Sequence, residues 1–108
     1  MKVAFLTAKI RKSIPKLYAT EGTKAEDKLV YVKYFHPYGE GTWLAFEFDG
    51  EDTFFGAVNL FGEWELGYFS LSELSEMKAK IGGRTFPFQA IERDRYFPVQ
   101  KYSDAIKG

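Results

Sequence analysis

Ten residues, Glu65-Leu66-Gly67-Tyr68-Phe69-Ser70-Leu71-Ser72-Glu73-Leu74, constrain the fold of this chain more than any others. Leu66, Tyr68 and Phe69 suit a pleated, half-buried strand. At Ser70 the period changes. Ser70 and Glu73 stand in the S-x-x-E spacing of a capping box, in which the hydroxyl accepts from the N3 amide and the N3 carboxylate reaches back. Leu71, Leu74 and Met77, with Ala79 or Ile81 behind, then recur at helical spacing. The pattern predicts a strand running straight into a helix. Lys78 and Lys80 would lie in its last turn, where cations complement the helix dipole, and Gly82-Gly83 would stop it.

The rest of the chain is organised around this element. Thr7 is a suitable N-cap for a short helix over Ala8 to Ile14, which Pro15 ends. Residues 16–27 read as a polar loop anchored by Leu17 and Tyr18. Leu29 to His36 reads as a first strand, with Val30, Val32 and Tyr34 on one face and Tyr31, Lys33 and Phe35 on the other. Pro37 to Gly41 is a turn. Thr42 to Phe48 alternates, with Leu44, Phe46 and Phe48 inward. That parity sets Trp43, Ala45, Glu47 and Asp49 outward. Asp49 to Asp52 forms a hairpin loop, Thr53 to Phe61 a central third strand, and Trp64 to Phe69 the fourth. Phe86 to Ile91 is extended at most, since Pro87 suits an edge. The last few residues are expected to fray. The expected class is α+β, one domain over residues 1–108. An antiparallel meander of four to five strands carries a short N-terminal helix and a helix after strand four. The sheet face away from the helices is too aromatic to stand bare, so the C-terminal segment, a partner or a second copy should cover it.

Composition narrows the chemistry. The 108 residues contain no Cys and one His, His36. Disulfides, thiolate metal sites, cysteine nucleophiles and two-histidine metal sites are excluded within one chain. No apolar run is long enough to span a membrane and nothing resembles a signal peptide, so a cytoplasmic location is the expectation. Glu47, Asp49, Glu63 and Glu65 could be paired carboxylates or oxygen ligands, yet Asp49 to Asp52 lacks the EF-hand spacing. No catalytic residue, cofactor or metal is assigned.

The net charge is zero, but its layout is uneven. Residues 1–33 carry +5, residues 34–77 carry −9 with no Lys or Arg, and residues 78–108 carry +4. Such asymmetry concerns partners rather than fold. It gives two candidate surfaces. Trp43, Glu47, Asp49, Glu63, Trp64 and Glu65 would form an acidic, aromatic sheet face for a protein partner, with the two Trp as anchors. Lys9, Arg11, Lys12, Arg93 and Arg95 would instead form a basic patch for nucleic acid. Self-association through the sheet face, as a homodimer, stays open.

Six segments, in this order, resemble a known family. They are Leu6-Thr7 to Leu17-Tyr18, Val30 to Phe35, Thr42-Trp43, Phe54-Phe55-Gly56, Glu65 to Leu74 and Ile91-Glu92-Arg93-Asp94. They are similar to the family catalogued as domain of unknown function 2958. Residues 82–90, rich in Phe here, are less like it. The resemblance implies a small bacterial protein of plasmids and conjugative elements, some encoded near anti-restriction or single-strand-binding genes. It implies no reaction and transfers no catalytic residue. The expected function is therefore a non-enzymatic accessory protein of a mobile element, in counter-defence or plasmid maintenance, that binds a protein partner. The alternative is a nucleic-acid-binding accessory protein.

Overall fold

The structure is a computed structural model and describes residues 4–107. In chain order the elements are α1 (Ala8–Ser13), a 3-10 turn (Ala25–Asp27), β1 (Leu29–Val30), β2 (Val32–Phe35), β3 (Thr42–Phe48), β4 (Thr53–Asn59), β5 (Trp64–Ser70), α2 (Leu71–Glu76), β6 (Lys78–Ile81), β7 (Arg84–Gln89), β8 (Glu92–Arg93), β9 (Gln100–Lys101) and α3 (Tyr102–Ala105). The fold is α+β. Its central antiparallel sheet has the order β5-β4-β3-β2-β8, a meander extended at one edge by a late short strand.

The two N-caps are made as the spacing predicts. Thr7 Oγ1 accepts from the Ile10 amide at 3.1 Å. Ser70 Oγ accepts from the Glu73 amide at 3.0 Å and donates to Glu73 Oε1 at 2.9 Å. The expected first strand is broken at Tyr31. Leu29–Val30 leave the main sheet to pair with β9, while Val32–Phe35 stay in it.

The helix predicted to run to Ile81 ends at Glu76. Lys78–Ile81 is instead a strand, paired with β7. Lys78-Ala79-Lys80-Ile81 alternates as well as it spirals, and Gly82 and Gly83 both have positive φ, +60° and +79°. Two such residues make the tight turn whose twist matches a hairpin. The lysines therefore do not serve a helix dipole.

Each face of the sheet carries its own core. On the first, Tyr34, Trp43, Phe48, Phe54 and Phe69 pack against Leu74 of α2, Ala79 of β6 and the segment Ala90-Ile91. On the second, Leu44, Phe46 and Ala57 pack with Val30, and Phe97, Tyr102 and Ala105 close over them. The C-terminal segment thus covers the second face, and Tyr102 is not frayed. Its ring meets Phe46 edge-on at 5.4 Å.

Two expected parities are corrected. The register sets Tyr34 opposite Trp43, so Trp43 lies on the first face among the core aromatics, only 4% exposed. Between Ala45 and Glu47 the β3–β4 register slips. At this bulge two residues of β3 oppose one of β4, which reverses the alternation beyond it. Phe48 therefore joins the first core while Leu44 and Phe46 stay in the second. Gly56, opposite Ala45, makes room for it: a Cβ there would stand 1.9 Å from the Leu44 carbonyl oxygen.

Candidate functional site

The six residues of the expected acidic face are not brought together. Glu47, expected in solvent, is 3% exposed. The bulge turns it toward the loop 16–28. Its Oε1 accepts from the Tyr18 amide at 2.8 Å, and Oε2 accepts from the Thr20 amide at 3.1 Å and from the Thr20 hydroxyl. Lys28, also buried, donates to the Thr20 carbonyl and hydroxyl, and its Nζ lies 4.0 Å from Glu47 Oε2. Glu47 is thus a clasp that closes a loop. Buried charge is tolerated when it is paired and hydrogen-bonded in this way. Tyr18 adopts a left-handed φ of 70°, unusual for a non-glycine residue, at the point where its amide meets that carboxylate.

Asp49 is also occupied. Its Oδ1 accepts from the amides of Glu51, Asp52 and Thr53 at 2.8 to 3.0 Å. These bonds, the Glu51 amide first, hold its carboxyl below the ordinary aspartate value. Trp64 is half-buried in the second core, edge-on to Tyr102. Only Glu63 and Glu65 stand free on the surface. With Val58, Leu60 and Phe61 they line a groove of about 290 Å³ at the β4–β5 turn, on the first-face side. Phe61 is the most exposed large apolar residue described, at 89%.

The basic candidates divide as well. Lys9 of α1 and Arg93 and Arg95 of the C-terminal segment line a cleft of about 380 Å³, together with Tyr31, Asp94 and Phe97. Arg11 is elsewhere: its guanidinium lies 5.7 Å from the Phe48 ring centre and donates to the Gly50 carbonyl. Lys12 is exposed on α1 and does not line the cleft. Arg93 and Asp94 do not pair with each other as an internal ion pair. Arg93 Nε donates to the Ala4 carbonyl, and Asp94 Oδ1 accepts from the Tyr96 amide at 3.0 Å.

Other groups have structural occupations. His36 Nδ1 accepts from the Tyr38 amide at 3.1 Å, within the turn before β3. Tyr34 is buried, its hydroxyl donates to the Phe5 carbonyl, and burial pushes its phenol far up. The Tyr68 phenol is raised, first by a hydrogen bond with Tyr18. Among the described residues no group of three or more His, Cys, Asp or Glu is placed to hold a metal ion. No described helix is long and apolar enough to cross a membrane.

The Glu47 clasp was missed because strict alternation sets Glu47 in solvent. One local signal pointed to it. A glycine inside an apolar strand marks a bulge or a close backbone approach, and Gly56 interrupts Phe54-Phe55-Gly56-Ala57-Val58.

A family model described as a protein of unknown function (DUF2958) matches residues 5–104, most of the chain. No curated protein and no solved structure matches.

Proposed function

The chain belongs to the DUF2958 family, and from that premise we propose that it is a non-enzymatic binding module whose protein partner docks on the acidic, apolar β4–β5 turn. One observation carries this reading. Phe61 stands 89% exposed beside Leu60, and the two free carboxylates, Glu63 and Glu65, flank the same groove. A large aromatic held out in solvent at an acidic rim is the form of an interface anchor, with the charges steering a basic partner surface. The saturation of Glu47 and Asp49 by internal hydrogen bonds favours binding over carboxylate catalysis. The accessory role on a bacterial mobile element rests on the family resemblance alone.

The test is capture from lysate of a natural host, with and without nuclease, comparing the wild-type chain with Phe61→Ala and with the double variant Glu63→Lys/Glu65→Lys. The expected result is a protein partner that survives nuclease and is lost from both variants. Undiminished capture by the variants would sink the reading.

A second reading has its own observation: Lys9, Arg93 and Arg95 share one cleft with Tyr31 and Phe97. Cations beside aromatic surface suit a single strand of nucleic acid. It predicts oligonucleotide binding that weakens steeply as salt rises and that Lys9→Glu/Arg95→Glu abolishes. Absent or salt-independent binding rules it out.

A further inference from the structure

The two edges of the central sheet are unlike. One ends in β8, which is only two residues long. The other ends in β5, seven residues long, paired with β4 in unbroken register from Thr53↔Ser70 to Asn59↔Trp64. Among the described residues no other strand pairs with its outer side. Edge strands are ordinarily blunted by a bulge, a proline or a lysine. β5 has none of these, Glu65 being its one charged residue, and Leu66 and Tyr68 on it are 48% and 56% exposed.

The free hydrogen-bonding groups can be identified. The Leu71 amide donates to the Asp52 carbonyl at 2.8 Å, continuing the β4–β5 register by one step. Directly opposed residues of an antiparallel pair alternate between bonded and non-bonded. Phe69, Gly67 and Glu65 therefore bond inward to β4. Trp64, Leu66, Tyr68 and Ser70 turn their N–H and C=O groups to the open edge. The β3–β4 ladder agrees: the Asp49 amide donates to the Thr53 carbonyl at 2.9 Å, which sets the odd residues of β4 toward β3 and the even ones toward β5.

We infer that this edge binds the same edge of a second copy of the chain, antiparallel, about a two-fold axis at Gly67. The strand is self-complementary in that register. Trp64 meets Ser70 of the second copy and Leu66 meets Tyr68, so every outward-facing residue finds an outward-facing mate. The two exposed apolar side chains cover each other across the junction. Such cross-strand apolar pairs are the unit of sheet stabilisation. Glu65 opposes Phe69 rather than its own symmetry mate. The two Glu65 carboxylates stand four residues apart along the ladder, roughly 13 Å at the rise of a strand, beyond the screening length of physiological salt. The two Gly67 residues meet at the non-bonded position of closest approach, where neither carries a side chain. The product is one continuous ten-stranded sheet, which meets the Phe61 groove only at Glu65.

Gly67 also supplies the test. A Cβ there meets nothing within 4 Å, so a side chain is accommodated in the single chain. Sedimentation of the purified wild-type chain over a concentration series should show a species of twice the 12.4 kDa chain mass. Gly67→Glu, which sets like charges opposite each other, should sediment as a single chain with an unchanged circular dichroism spectrum. Tagged Gly67→Glu should capture untagged Gly67→Lys but not untagged Gly67→Glu. A wild-type chain that stays at single mass throughout overturns the inference. So does a Gly67→Glu variant that dimerises as the wild type does.

Discussion

At the scale of single residues, the buried carboxylate of Glu47 carries the heaviest structural duty. Removing it leaves the Tyr18 and Thr20 amides without their acceptor and the Lys28 ammonium without its counter-charge. Breaking a buried ion pair from one side costs about 3–5 kcal/mol. Glu47→Ala should lower unfolding stability in urea by that amount, whereas Glu47→Gln, which keeps an acceptor, should lose less. A loss within the scatter of a surface substitution would show that the clasp does not hold the loop. Asp49 makes a prediction in pH. Its folded-state pKa lies below the ordinary 3.8. The ionised form therefore adds stability that is fully present above the unfolded value and lost as pH falls through the lower folded value. Asp49→Asn should flatten the acid limb of melting temperature against pH, a limb that stays equally steep if those three amides are not responsible. The Glu47 role could not be read locally, because its partners lie 27 and 29 residues away, whereas those of Asp49 lie two to four residues on.

At the scale of elements, the caps were legible and the lengths were not. Thr7 and Ser70 make the capping bonds their spacing predicts, since both partners lie three residues away. The end of α2 was misplaced because Lys78 to Ile81 satisfies two periods at once, and pairing with β7 decides between them. The β3 bulge has a measurable consequence. Gly56 and Gly67 are opposed on β4 and β5, yet one is closed by the Leu44 carbonyl and the other is open. Gly56→Ala must push the β3 backbone away and should cost about 3 kcal/mol, the upper end of overpacking in a core. Gly67→Ala should be close to neutral. Equal effects at the two positions, read by thermal or urea unfolding, would deny that the bulge depends on Gly56.

At the scale of the whole molecule, the second core depends on the end of the chain. β9 pairs with β1, the Tyr102 amide donates to the Lys28 carbonyl at 2.8 Å, and Tyr102 packs on Phe46 and near Trp64. Removing residues 99–108 should uncover Val30, Leu44 and Phe46 and raise binding of an apolar dye while weakening cooperative unfolding. A truncated chain that melts as sharply as the full one, without dye binding, would place the second core's support elsewhere. The charge layout also resolves only at this scale. Part of the acidic middle is met internally, by Lys28 at Glu47 and by Arg11 over the β3–β4 turn. What remains outside is gathered in part at Glu63 and Glu65. Composition and local period by themselves determined the α+β class, the strand-to-helix junction, both N-caps and the turns at Pro37 to Gly41 and Asp49 to Asp52, because each depends on neighbours a few residues apart. Only the tertiary structure decided the rest. The 34↔43 register buried Trp43, the bulge moved Glu47 from solvent to a clasp, and the β6–β7 pairing ended α2 early. Each is set by a partner far along the chain, and a slip of one residue in such a pairing exchanges the faces of a strand.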